Sequence, residues 1–374
     1  MPGSKLRAIV GGGSIGGLCA GLALHGLGAD VNVFEQNPGA METRGAGIVV
    51  QEELISLLRR HGAPPLPTTS CTQRRYLESG GGNGQTQSMP QSFTSWEAIY
   101  LTLRAAFPET RYRIGAAMEG FENRGGGVSV DIAGKGRMDA DLLICADGAQ
   151  SATRRRLLPD VVSRYAGYVA WRGTVDETAA PAALVRFFED TFTFSEARSG
   201  GHMLVYFIPG ANANALEGHR RLNWVWYVRT EEDRLTDILT DRTGHVHSNS
   251  LQAGNARDKS IEELRALACR ELHPRMAELI EVSTEPFIQK IVDVVVPRTV
   301  FGRAVLLGDA AFVVRPHTAG ATAKAASEAT LLAGSLLEAD YDIDEALRRF
   351  EAAQVRYGHE LYRYGVRLGS QNVF

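Results

Sequence analysis

The feature that most constrains this chain is Gly11-x-Gly13-x-x-Gly16, set between a short apolar run, Leu6–Val10, and a segment of leucine and small residues, Ser14–Leu27. Glycines at this spacing permit a tight turn and let the backbone approach a pyrophosphate closely. The following helix points its positive end at that charge. Ser14 and Ile15 fall inside the turn, and Leu18, Leu22 and Leu24 give the helix an apolar side for packing on a sheet. Val31–Phe34 reads as a second strand that ends at Glu35, with Gln36 next. An acid there is placed to accept hydrogen bonds from a ribose and disfavours a 2′-phosphate, so the adenosine belongs to FAD or NAD rather than NADP. Strand, turn, helix and strand make a βαβ unit, and the chain is read as α/β.

Two later stretches decide between those dinucleotides. Leu142–Ala146 is an apolar strand delivering Asp147-Gly148 to a turn, followed by Ser151 and Arg154. Val305–Leu307 does the same for Gly308-Asp309, with Pro316 beyond. An aspartate at a strand end accepts a ribityl hydroxyl, or it bonds neighbouring amides in an Asx turn. As an ordered pair behind a dinucleotide turn, the two stretches point to a flavin pocket, because a nicotinamide dehydrogenase leaves both without a task.

The middle of the chain has a different texture. Tyr165–Val175, His202–Ile208 and Leu222–Val228 alternate aromatic and apolar residues as antiparallel strands do when one face lines a cavity or core. Helical periodicity is found at Trp96–Phe107, Ile261–Ile280 and Ala323–Leu337, and Glu345 and Arg349 are spaced for an i,i+4 pair. Residues 62–93, rich in Gly, Pro, Ser, Thr and Gln, read as a mobile excursion rather than an element. Residues 1–70, 94–164 and 298–374 are assigned to a split Rossmann-like FAD-binding domain with C-terminal helices. Residues 71–93 and 165–297 are assigned to an inserted, mostly antiparallel β-sheet domain for substrate.

Composition narrows the partners. Of 374 residues, 44% are apolar and the formal net charge is -3, which gives no reason to expect nucleic acid. The run Arg154-Arg155-Arg156 reads as a solvated helix face. No apolar stretch of about 18 residues is present to cross a membrane. The chain enters its first strand almost at once, leaving no room for a signal peptide, so a cytoplasmic location is expected. Cys19, Cys71, Cys145 and Cys269 are scattered and read as reduced, mostly buried thiols. The nine histidines form no HxxxH or HExxH cluster, and no metal is expected.

Taken together, the dinucleotide turn, the stretch Asp147-Gly148-x-x-Ser151-x-x-Arg154 and Gly308-Asp309 through Pro316 resemble the class A flavoprotein aromatic hydroxylases. p-Hydroxybenzoate and salicylate hydroxylases are members, and the resemblance runs the whole length. It implies the p-hydroxybenzoate hydroxylase-like fold. Gly45-Ala46-Gly47-Ile48 matches the family's short glycine turn near the flavin, so Gly45 and Gly47 join the expected FAD contacts. The backbone of Ala319, Gly320 and Ala321 is expected beside the flavin, with the following helix supplying about half a positive charge. Tyr165–Gly173 is similar to the hydroxypyridine hydroxylases of nicotine breakdown. The implied chemistry is reduction of FAD by NADH as a transient co-substrate, addition of O2 and ring hydroxylation through a flavin C4a-hydroperoxide. A homodimer is implied as well.

Two departures stand out. The usual Gly-Gln-Gly turn is replaced by Pro316-His317-Thr318-Ala319-Gly320-Ala321-Thr322, and Trp96 occupies a place where relatives carry an arginine. They leave open a flavin-binding protein that has lost hydroxylation. For the ring chemistry the candidates are His202 and Tyr206, four apart on one strand and therefore on one face. At a rise of ~3.3 Å per residue their Cα atoms are about 13 Å apart, enough to hold opposite ends of a small ring. Related pyridine-ring hydroxylases use a His and a Tyr in a comparable strand. Trp171, Trp224 and Trp226 read as core or as cavity wall, Arg172 as structural, and His317 as near the flavin or as a loop anchor.

Overall fold

The computed structural model describes residues 5–39, 47–82 and 84–373. Its first layer is a six-stranded sheet. The order is Val300–Phe301, Ala304–Leu306, Leu142–Cys145, Arg7–Gly11, Asp30–Glu35 and Tyr112–Ile114. All neighbours are parallel except the first pair. The three central strands are short, largely apolar and buried on both faces, as parallel strands covered on both sides must be. Helices Ile15–Gly26, Glu52–Arg60, Trp96–Ala106 and Ala321–Glu338 bury one face around Leu18, Leu22, Val33, Ile99, Leu103 and Leu332.

Register brings the three motifs together. Gly11 pairs with Cys145, and Cys145 pairs with Leu306. The turns that follow therefore leave from the same end of three adjacent strands, each about 4.8 Å from the next. Gly11 also pairs with Phe34, which sets Glu35 beside the first turn.

The second layer is a large sheet, mostly antiparallel. Its order is Ser250–Leu251, Phe287–Val295, Arg164–Asp176, Arg221–Arg229, His202–Ile208, Thr191–Glu196, Thr69–Leu77, Thr86–Ser95 and Gly47–Val49, with Phe312–Val313 added on Phe287–Val295. The one parallel contact joins Thr191–Glu196 to Thr69–Leu77. One face packs Trp171, Met203, Val205, Trp224 and Trp226 against helices Ala182–Phe188, Asp258–Glu271 and Pro274–Val282. The three tryptophans are thus core, and Trp224 donates its indole N–H to Ser283 Oγ at 2.8 Å. A small third sheet, Met118–Arg124, Gly127–Ile132 and Gly136–Ala140, packs on the far side of the parallel layer.

Several expectations need correction. Residues 62–93 contain two paired strands, Thr69–Leu77 and Thr86–Ser95. Their exposed, polar positions hide the period that a half-buried strand shows, as is common near a sheet edge. Gly47–Val49, placed in the nucleotide-binding part, bonds as the edge of the large sheet. The helix read across 261–280 breaks at Leu272, where His273 caps a new helix with Pro274 in its first turn. The arginine run is not uniformly solvated. Arg155 and Arg156 are exposed, but Arg154 is buried. The Glu345–Arg349 pair forms at 2.6 Å.

Gly12 tests how tightly the motif turns are packed. It has φ +109°, and a Cβ there would fall inside the contact distance of the Ala146 carbonyl, a backbone atom that cannot swing away. Gly148, at φ +78°, has open space around it. Gly12→Ala is expected to cost about 3 kcal/mol or more, whereas Gly148→Ala incurs only the left-handed penalty of about 1–2 kcal/mol. Thermal unfolding of both variants checks the order, and equal midpoints would refute the packing argument.

Candidate active site

The turn at residues 11–16 is held from outside. Tyr112 donates its hydroxyl to the Gly13 carbonyl at 2.9 Å, and Glu35 accepts from Gly13 N–H at 2.8 Å and from the Asn37 backbone and side chain. Ser14 caps helix Ile15–Gly26 by backbone conformation alone, and its side chain makes no capping bond. The first-turn amides are thereby left for a ligand. Gln36 is exposed. A Cβ on Gly16 would stand 3.9 Å from Gly308 Cα, so the first and third motifs meet backbone to backbone.

Arg154 ties the second motif to the third. Its guanidinium donates to the carbonyls of Ala149 (2.6 Å), Asp309 (3.2 Å) and Ala310 (2.9 Å). Asp147 turns back on its own loop, accepting from Ser151 Oγ at 2.6 Å and Thr153 N–H at 3.0 Å, which is the Asx-type arrangement. Ser151 in turn caps the next helix through Arg154 N–H. Gly148 beside it lies in open space. Asp309 keeps its carboxylate about half exposed, with Lys324 Nζ 3.4 Å away. Behind the loop, Glu328 accepts from Gly308 N–H at 2.6 Å, and burial pushes its carboxyl pKa up.

After Gly308-Asp309 the chain passes through Arg315 and a short 3-10 turn, Pro316–Thr318. Ala319 then takes φ +50°, and Gly320 caps the helix that starts at Ala321. The shifted glycine thus leaves an alanine in the left-handed position. In the first turn of that helix Thr322 Oγ1 and Lys324 Nζ are buried without a hydrogen-bond partner among the described residues.

Across from this turn stands the second face of the large sheet, the one turned away from the tryptophan core. His202 and Tyr206 both project from it, yet into different surroundings. Tyr206 is buried, stacked on Phe93 at 4.4 Å and edge-on to Phe192, and burial pushes its hydroxyl pKa up. His202 is half-buried, with its ring 5.1 Å from Tyr227 and 5.4 Å from His317. Gly47 reaches this face too, donating its N–H to Asn223 Oδ1 at 2.9 Å. A Cβ on it would strike Asn223 and the Tyr206 ring. Gly45 lies outside the described residues. Trp96 stacks on Tyr100 at 5.3 Å and packs on the first core.

His317 is the residue that joins the two layers. Its Nε2 lies 2.9 Å from the Tyr168 hydroxyl, and its ring is 4.2 Å from Tyr227. Arg315, locked to Asp293 at 2.8 Å, holds its guanidinium 5.7 Å from the centre of the Tyr168 ring. His317 itself stays neutral. Burial, with His202, Arg315 and Arg172 around it, pushes its pKa down to about 3. Tyr168, Tyr227, Asn223 and Arg315 were not singled out from sequence. The alternation along Tyr165–Val175 and Leu222–Val228 placed the first three on one face, but nothing local marked which face met the loop.

The comparisons with known proteins now decide the family. A family described as FAD binding domain-like matches residues 165–293. The 2,6-dihydroxypyridine 3-monooxygenase of Paenarthrobacter nicotinovorans is 33% identical, over 94% of this chain and 88% of that protein. The chain belongs to the FAD-dependent aromatic hydroxylases. The 6-hydroxynicotinate 3-monooxygenase of Pseudomonas fluorescens is 28% identical, over 90% of this chain and 84% of its own length. The solved structure of 2,6-dihydroxypyridine-3-hydroxylase from Arthrobacter nicotinovorans superposes with TM-score 0.91 at 30% identity, covering all of this chain and 94% of the other. HpxO of Klebsiella pneumoniae, solved with FAD and uric acid, shares the fold at TM-score 0.75 and 23% identity, over 97% of this chain and 87% of its own.

FAD is the cofactor of this hydroxylase, and the residues present fit it. Free amides open helices Ile15–Gly26 and Ala321–Glu338, two glycine turns meet at Gly16 and Gly308, and buried Thr322 Oγ1 has no hydrogen-bond partner among the described residues. A small aromatic substrate and O2 follow from the family.

The neutral His317 has a consequence for acid stability. Below about pH 6.5 the unfolded chain protonates this imidazole, while the folded protein resists until about pH 3. Its stabilising effect is complete above the unfolded pKa and is lost as pH falls through that window. His317→Gln is expected to flatten the fall of Tm between about pH 7 and 4.5. The slope does not vanish, because burial also lowers the pKa of His61 and His273. Parallel Tm curves for variant and wild type would overturn the assignment.

Proposed function

We propose that this FAD-dependent aromatic monooxygenase converts 2,6-dihydroxypyridine to 2,3,6-trihydroxypyridine, with NADH as a transient reductant. The observation that carries the reading is the pairing of 33% identity with a TM-score of 0.91 to proteins named for 2,6-dihydroxypyridine 3-hydroxylation. The sheet face supports it, since aromatic and hydroxyl side chains suit a flat ring bearing two oxygens. Bound FAD, once reduced, supplies the activation of O2 and the transfer of one oxygen atom to the ring.

The chain's own residues orient the ring and keep water away. Tyr206 serves as a hydroxyl donor rather than a base, because burial disfavours its ionised form. His202 takes the other end of the ring, four residues along the same strand face. The flavin is held by Gly11, Gly13, Ser14, Ile15, Gly16, Glu35, Gln36, Asp147, Gly148, Gly308, Asp309 and Pro316, with the backbone of Ala319–Ala321 beside it. Gly45 and Gly47 belong to the same proposal, and so does a homodimer.

The test follows NADH oxidation by the purified holoenzyme with and without 2,6-dihydroxypyridine, quantifying product and hydrogen peroxide together. Substrate is expected to accelerate NADH use and to yield the trihydroxypyridine with little peroxide. NADH consumed only to peroxide would sink the assigned substrate. In the same assay Tyr206→Phe is expected to raise KM about tenfold, the loss of one hydrogen bond to a ring oxygen.

A further inference from the structure

Arg172 is a charge on the sheet face without an ion pair among the described residues. It alternates with Trp171, which lies in the tryptophan core, so its side chain leaves by the opposite face. It is half-buried between Val225 and Phe287 on the neighbouring strands. Its Nε is fully shielded from solvent and has no hydrogen-bond partner, and the guanidinium forms no ion pair among the described residues. Arginine remains charged at any relevant pH. Its field is felt by Tyr206, Tyr227 and His317, which places all three around it.

None of those neighbours can balance the charge. Burial holds Tyr206 and Tyr227 in their neutral hydroxyl forms, and His317 is neutral. Tyr168 bonds His317, and Asn223 is an amide. Of the carboxylates on these strands, Asp176 is bonded by Arg221 at 2.6 Å, and Asp293 is taken by Arg315 through both its oxygens. A guanidinium with a shielded, unpartnered Nε and only neutral groups around it calls for an anion from outside.

We propose that Arg172 is the anion-binding residue of the substrate site and that the aromatic ring binds as its oxyanion. The proposal rests on the reading of this face as the substrate cavity. The ring loses its hydroxyl proton to water before binding, and the guanidinium accepts the resulting oxygen charge by donating N–H bonds to it. An ionised ring oxygen pushes electron density into the adjacent carbons, as an electrophilic oxygen transfer requires. No side-chain base is then needed, in agreement with the neutral state of Tyr206 and His317. Arg172 thereby selects acidic hydroxyaromatics over their ethers and over neutral rings.

The test measures binding to the FAD-loaded enzyme by the change in flavin absorbance, for wild type, Arg172→Met and Arg172→Lys. Two probe pairs are used: 2,6-dihydroxypyridine with 2,6-dimethoxypyridine, and 4-nitrophenol with 4-nitroanisole, above the pKa of each hydroxyl. Wild type is expected to bind each anion about tenfold or more tightly than its ether. Arg172→Met is expected to abolish that preference while leaving ether affinity unchanged, and Arg172→Lys to restore part of it. Tm and FAD content report whether each variant folds, and if Arg172→Met does not, Arg172→Lys against wild type carries the comparison. Binding of 4-nitrophenolate but not 2,6-dihydroxypyridine, lost in Arg172→Met, would uphold the anion site and refute the substrate assignment. The anion site is overturned if the preference survives in Arg172→Met, if wild type shows none, or if the variant weakens NADH binding instead.

Discussion

Everything in this molecule depends on the register of three parallel strands. Gly11, Cys145 and Leu306 lie side by side, so three turns from distant parts of the chain leave at one edge. Once that edge exists, a small number of polar contacts makes it a single surface. Arg154 donates to carbonyls of both later motifs, Glu35 fastens the first turn, and Glu328 holds Gly308 from behind. These groups are buried, so each needs its partner; a shift of one strand would leave several unsatisfied.

The loop carrying His317 transmits that organisation to the large sheet. It begins at the third motif, crosses to the sheet face, and returns as the helix Ala321–Glu338. The ion pair of Arg315 with Asp293, on strand Phe287–Val295, anchors the crossing. Tyr168 then fixes the imidazole of His317. The motif edge and the large sheet are thus joined through the His317–Tyr168 hydrogen bond. The ion pair also accounts for the chemistry of the face, which carries positive and neutral groups but no available carboxylate among those surrounding Arg172.

Much of this was legible from residue patterns. Leu6–Val10, Ser14–Leu27 and Val31–Phe34 are local statements about strand, helix and strand, and glycine spacing adds the turn. The alternation in Tyr165–Val175 and His202–Ile208 is equally local, and it put His202 and Tyr206 on one face. What escaped depended on distant partners. Thr69–Leu77 and Thr86–Ser95 are polar and exposed, and only pairing with each other and with Thr191–Glu196 makes them strands. Arg154 was marked by its motif but also read as part of a solvated arginine run, and the third motif, 155 residues away, accepts its guanidinium.

The sequence by itself determined the dinucleotide turn, the order of the motifs and the alternation of the inserted sheet, because each rests on spacing within one strand or turn. Tertiary structure alone decided which face of that sheet is core and which meets the loop of His317. The same alternation that puts Trp171 among apolar helices puts Arg172 opposite, and no local pattern says which side the flavin loop will meet. That choice follows from packing: three tryptophans bury more apolar area against the helices than the mixed face could. The polar alternates are left on the opposite face, which meets the loop of His317.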